Sequence, residues 1–205
     1  MPRPEYFDFG LTGFARRFHQ DWRYDGSPWK QLDRMLGPEH EPVGVEELRR
    51  DAAQSLAGLT NGEIEALWVA GTDGNFPFGP DGAWSTGSDW MRTIVQRCDQ
   101  WYRETGRTPL SRPAPGAGLA DAVTREVTLL SASVLERLDP DGRVTAALLR
   151  CVRACSPDLA FRWSLRIARR SHLALEASQY ARLVRLGEQF KYGEYIVSDL
   201  DDLVE

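Results

Sequence analysis

The chain has 205 residues, 42% hydrophobic and 27% charged, with a formal net charge of −5. That is ordinary globular composition and enough length for a real core. No apolar run approaches the roughly 18 residues that span a bilayer, and Met1-Pro2-Arg3-Pro4-Glu5 carries no apolar signal region. Three cysteines form no disulfide framework, so a reduced, cytoplasmic protein with no membrane contact is expected.

Charge and aromatic residues are unevenly spread. Residues 1–105 hold 11 basic and 17 acidic side chains, and residues 106–205 hold 14 and 13. Six of the seven tryptophans lie at or before Trp101. Such asymmetry bears on partners and not on fold.

In chain order the spacing is helical. Leu11, Phe14, Phe18 and Trp22 recur at three- and four-residue intervals and stop at Asp25-Gly26. Trp29, Leu32, Met35 and Leu36 predict a second short helix, and Val45, Leu48, Ala52, Leu56 and Leu59 a third. Thr60-Asn61-Gly62-Glu63 has the form of a capping box, in which hydroxyl and carboxylate each take a backbone amide. It opens a helix bearing Ile64, Leu67 and Trp68 that Gly71 ends. Ser88 is the expected N-cap of a long helix carrying Met91, Ile94, Val95, Cys98, Trp101 and Tyr102, with Gly106 as its C-terminal cap.

The segment from Thr105 to Gly118 packs Pro109, Pro113 and Pro115 among glycines, which disfavours helix and strand alike. It predicts a helical domain over 1–105, a Pro/Gly linker over 106–118 and a second helical domain over 119–205; a long surface loop within one domain is the competing reading. Beyond it, Val123, Val127, Leu130, Val134 and Leu138 form one stripe and Val144, Leu148, Cys151 and Val152 the next. Ser156-Pro157 starts a helix with Leu159, Trp163 and Ile167, since proline suits the first turn. Tyr180, Leu183, Val184 and Leu186 supply a last stripe. Tyr195-Ile196-Val197 reads as a short terminal strand or a docked extended tail. The predicted fold is all-α: two packed helical groups.

No constellation reads as catalytic, metal-binding or cofactor-binding. His19 and Asp21, two apart, face different sides of a helix and have no nucleophile near them, so His19 is expected as a partly buried residue orienting the first helix. Cys151 and Cys155 have a helical metal spacing without a second ligand pair, which leaves apolar packing. The loop from Gly71 to Gly87 has Asp73, Asn75 and Asp81 but neither the glycine nor the closing glutamate of an EF-hand, and no phosphate-loop run. It reads as a turn pinned by Phe76, Phe78 and Trp84. Arg150, Arg153, Arg162, Arg166, Arg169 and Arg170 near Trp163 could grip a phosphate backbone, which makes a nucleic-acid-binding or adaptor role the alternative. Six acids from Glu188 onward stand ready to pair with them.

Residues 6–104 also carry an ordered set: Tyr6 and Phe7, Phe14, Phe18-His19-Gln20-Asp21-Trp22, an amphipathic helix over 45–57, a short capped helix, Phe76-Pro77-Phe78, and Ser88-Asp89-Trp90. This set resembles the immunity proteins of contact-dependent growth inhibition systems. The resemblance implies a helical, non-enzymatic protein, with no small-molecule substrate, that binds and neutralises a cognate antibacterial toxin in a stoichiometric complex. The last hundred residues lie outside it. Many such toxins are nucleases with basic clefts, so carboxylates would steer the encounter. The candidate toxin-binding residues are Asp21, Asp25 and Asp33 near the first turn and Glu46, Glu47 and Asp51 on the third helix, with Asp21, Glu46 and Glu47 expected at the surface. The expected structural core is Phe14, Phe18, Trp22, Trp68, Trp90 and Trp101.

Overall fold

The computed structural model describes residues 8–37, 40–110, 116–130, 139–172, 174–193 and 195–205. Among them the chain is all-α, with ten helices: α1 (Gly10–Ala15), α2 (Pro28–Met35), α3 (Pro42–Gly58), α4 (Asn61–Gly71), α5 (Gly87–Thr105), α6 (Ala120–Leu130), α7 (Arg143–Ala154), α8 (Pro157–Arg170), α9 (Ala177–Gln189) and α10 (Tyr195–Ser198). Extended pairing among these residues is limited to isolated bridges, Phe78 to Trp84 and Leu175 to Val204.

Local chemistry sets most boundaries. Thr60 accepts from the Glu63 amide at 3.3 Å while the Glu63 carboxylate takes the Thr60 amide at 2.7 Å, so the capping box starts α4. Ser156 accepts from the Leu159 amide and Pro157 occupies the first turn of α8. Gly106 closes α5 at φ 65°, a left-handed conformation that costs glycine little.

Three expectations are corrected. The stripe from Leu11 to Trp22 is not one helix: α1 ends at Ala15, and Trp22 begins a 3₁₀ turn, Trp22–Asp25. Tighter bonds, from the Arg17 amide to Phe14 and the Phe18 amide to Ala15, carry the chain out of α1. That path delivers Phe14, Phe18 and Trp22 to one aromatic cluster. The N-cap of α5 is Thr86, not Ser88; the helix starts earlier because the Thr86 hydroxyl accepts from the Asp89 amide at 3.1 Å, and the Glu65 carboxylate takes the Gly87 amide at 3.0 Å. Finally, Tyr195–Ser198 is a helical turn and not a strand. Ile196, Val197 and Leu200 are all buried, which a strand's alternation would not allow. Val134 and Leu138 of the sixth stripe, and Ser111 to Pro115 of the linker, fall outside the described residues.

The core is centred on rings. Phe14, Phe18, Trp22, Trp68, Trp90 and Trp101 are all buried. Phe18 meets Phe76 edge-on at 4.8 Å between centroids, and Trp68 meets Trp90 at 6.0 Å. Trp101 stands apart, its indole donating to the Gly37 carbonyl and its ring edge-on to Tyr102.

The change in composition at the linker does not open a gap in the packing. α4 packs on α7 and α8, α3 on α7, and α1 on α8, within one continuous hydrophobic cluster. Trp163 of α8 meets Trp68 of α4 at 6.1 Å. Gly71 makes this approach possible, because a Cβ there would collide with the Trp163 ring.

Candidate functional site

The six predicted partner-facing carboxylates divide sharply. Asp21 and Asp25 on the 3₁₀ turn and Asp33 on α2 are exposed. The same corner exposes Arg23, Lys30 and Arg34, so it is charge-balanced and not acidic. Asp33 is taken by Arg97 of α5 at 2.5 Å. Glu46 is half-buried and accepts from the Tyr102 hydroxyl at 3.1 Å. Loss of water, and then that carboxylate, push the Tyr102 phenol well up.

Glu47 and Asp51 correct the surface assignment, because both are buried. Glu47 pairs with Arg50 one turn on. Asp51 has an internal role: its carboxylate takes the Leu11 amide at 3.0 Å and the Arg162 guanidinium at 2.8 Å. α3 is covered by α1, α5 and α7, so its buried arc is wider than its apolar stripe.

Arg162 is the hub of this buried network. It lies over the Phe9 ring at 4.4 Å and donates to the Phe9 carbonyl, Thr12, Asp51 and Asp158. Burial disfavours its charge, but Asp51 and Asp158 more than compensate, so it is held charged. Gly10 sits at φ +58, where a Cβ would run into the Asp51 carboxylate. Asp158 also accepts from the Tyr192 hydroxyl at 2.8 Å, which ties the tail to α8. With no open surface, this network reads as a clasp between the halves.

Beside it, half-buried Asp8 accepts from the Phe9 amide and the Thr12 hydroxyl. Desolvation raises its carboxyl to about 6, against the opposing pull of Arg162.

His19 is exposed, correcting the expectation of partial burial, and its Nδ1 accepts from the Asp21 amide at 3.2 Å. Cys98 is buried, and desolvation pushes its thiol up to about 12, far from a reactive thiolate. Cys151 is buried, and the Cys155 thiol donates to the Gln54 carbonyl at 3.2 Å. Among the described residues no group of three or more metal-ligating side chains comes together.

The six arginines do not share one face: Arg150 and Arg153 are exposed. Arg162 and Arg166 are buried. Arg169 is taken by Asp202 at 2.5 Å, as the acidic tail allows, and Arg150 lies 3.4 Å from Glu63 while donating to the Gly58 carbonyl.

A further run of carboxylates lies elsewhere. Residues 51–91 contain six carboxylates and no lysine or arginine, a pattern legible in the sequence that spacing arguments pass over. All but Asp51 lie on α4, the following loop and the start of α5: Glu63, Glu65, Asp73, Asp81 and Asp89. The loop is held in place by buried Phe76, by half-buried Phe78 and Trp84, and by the Trp22 indole donating to the Asn75 carbonyl at 2.9 Å. A groove of about 400 Å³ runs between α4 and the turn before α7. Ala66, Val69, Ala70 and Val144 line it, together with Glu65, Asp139, Asp141 and Arg143. The apolar floor and its rim, three carboxylates and one arginine, draw on both halves.

Comparison of the chain with protein-family models, with curated proteins and with solved structures finds no match.

Proposed function

We propose that the protein is an immunity protein that neutralises a cognate toxin by stoichiometric binding, without turnover. The resemblance over residues 6–104 supports the class. The observation that carries the binding surface is the groove beside α4, whose apolar floor is rimmed by Glu65, Asp139 and Asp141 and by a single arginine, Arg143. A basic cleft, such as one built to hold phosphates, is complementary to that face. Carboxylates steer the encounter, and apolar contact on the floor slows dissociation. Because the groove draws on α4 and on the turn before α7, both halves contribute to it.

The test is protection. Cells making the toxin encoded beside this protein survive only when it is co-expressed, and the purified pair forms an equimolar complex. Reversing the exposed Asp73, Asp81 and Asp141 together to lysine slows association and weakens its salt dependence, with the helical circular dichroism unchanged. Reversing Asp21 and Asp25 has the smaller effect, since basic neighbours already balance that corner. Survival without the protein, or turnover of a small substrate by the purified chain, defeats the proposal.

A further inference from the structure

The corner built by the 3₁₀ turn and α2 is a surface that the groove beside α4 does not use. Two of the four large apolar side chains left exposed among the described residues lie here, five positions apart: Tyr24, 91% exposed, and Trp29, 45%. A single exposed ring is ordinary, but two beside one turn form a patch.

Neither ring hangs loose. Trp29 stands edge-on to half-buried Trp84 at 5.2 Å between centroids, and Trp84 rests on buried Trp90 at 4.7 Å. Next to Tyr24, buried Trp22 fixes the 3₁₀ turn through its indole donor to the Asn75 carbonyl. The Lys30 stem lies against Gly26, which holds that turn to the first turn of α2. Rings on a rigid support lose little entropy when a partner covers them, and Tyr and Trp are among the residue types that anchor protein interfaces.

The charges around the rings define the partner. Residues 21–34 expose three acids, Asp21, Asp25 and Asp33, and three bases, Arg23, Lys30 and Arg34. Asp33 is taken by Arg97, and none of the other five is in an ion pair among the described residues. Acids set between the bases repel a nucleic acid, and a partner of one sign meets as many like charges as unlike. A surface of balanced sign is complementary to itself: across a two-fold axis, an acid of each copy can face a base of the other.

We infer that this corner is the contact between two copies of the chain. Tyr24 and Trp29 lie at the two-fold axis, and Asp21 and Asp25 of each copy face Arg23 and Lys30 of the other. Two rings from each copy, at on the order of 150–250 Å² per fully covered ring, fall short of the roughly 1,600 Å² of a standard interface, so the dimer is weak and reversible. It shares no residue with the groove beside α4, and the pairing stands whether or not that groove takes a toxin.

Sedimentation velocity of the full chain, from micromolar to millimolar concentration, is the test. The wild-type chain passes from monomer to dimer as concentration rises and goes no further. Asp21→Lys with Asp25→Lys makes the corner basic, and Arg23→Glu with Lys30→Glu makes it acidic. Each double variant stays monomeric, with its helical circular dichroism unchanged. An equimolar mixture of the two restores the dimer, which misfolding of either variant cannot do. Tyr24→Ser, at a position open to solvent, weakens dimerisation about tenfold. A wild-type chain monomeric at every concentration overturns the dimer; a toxin complex weakened by Tyr24→Ser then gives the corner to the toxin. Double variants that dimerise as the wild type does, or that fail to pair when mixed, overturn it as well.

Discussion

Two seams join the halves of this molecule, and they are built from opposite chemistries. Around Trp68, rings from α1, α4, α5, α8 and the loop after α4 meet edge to face, with centroid separations near 6 Å. Around Arg162, one guanidinium satisfies a carbonyl, a hydroxyl and two carboxylates from segments far apart in sequence. Ring contact is non-directional and gives way gradually. A buried charge network is close to all-or-none, because deleting one member strands the others without water. The aromatic seam therefore supplies cohesion, and the clasp restricts how α1, α3 and α8 can be arranged.

The comparison can be broken most directly at Arg162. Arg162→Met keeps much of the volume but removes the guanidinium between the buried carboxylates of Asp51 and Asp158, and is expected to cost about 3–5 kcal/mol in urea unfolding. Adding Asp51→Asn returns part of that loss, since an amide oxygen still accepts from the Leu11 amide. A loss below about 1 kcal/mol for the single variant would show that the clasp is not a close-knit unit.

A smaller effect is expected at the edge of the clasp. The carboxyl of Asp8 is raised to about 6 in the folded chain, so between its unfolded value of 3.8 and about 6 the native state holds a proton that the unfolded chain does not. This group therefore destabilises the fold most above pH 6, and the penalty fades as pH falls through that window. Asp8→Asn should stabilise the protein at pH 7.5 by on the order of 2 kcal/mol, with the advantage over wild type shrinking toward pH 4.5. Melting curves of both proteins across that range check the sign.

The smallest effect sharpens the other seam. Trp68 is fully buried, yet its indole N–H has no hydrogen-bond partner. Trp68→Phe loses ring contact but removes that orphaned donor, so the two terms offset and the net cost should be within about 1 kcal/mol. A cost near that of a large-to-alanine truncation, about 3 kcal/mol or more, would mean that ring shape and not ring burial holds the seam.

Much of the helical layout is legible in the sequence, because it depends on interactions three and four residues apart. The apolar stripe of α5, the capping box at Thr60 and the proline start of α8 are all local, and the structure places them where spacing does. The misreadings arise where contacts across the fold outweigh local pattern. The aromatic cluster breaks the stripe between Phe14 and Trp22, whereas the earlier start of α5 is local, set by the Thr86 hydroxyl on the Asp89 amide. Periodicity on α3 does not distinguish Glu46, at the surface edge, from Glu47 and Asp51, inside. Their burial is set by α1, α5 and α7, and the partner of Asp51 lies 111 residues away. The acidic face of α4 was half legible: the run from 51 to 91 without a basic residue is plain in the sequence, but the groove needs Asp139 and Asp141 brought beside Glu65.

The sequence by itself thus determined an all-α chain, most of its helix starts and stops, its aromatic core residues and its acidic first half, since propensity, capping and periodicity act over a few residues. Only the tertiary structure decided which charges face water. It buried Arg162 with Asp51 and Asp158, buried Arg166 against the Gly71 carbonyl, and brought α4 against the turn before α7. Whether a charge is exposed, paired or stranded depends on what packs over it, and those covering residues come from parts of the chain that no local pattern connects.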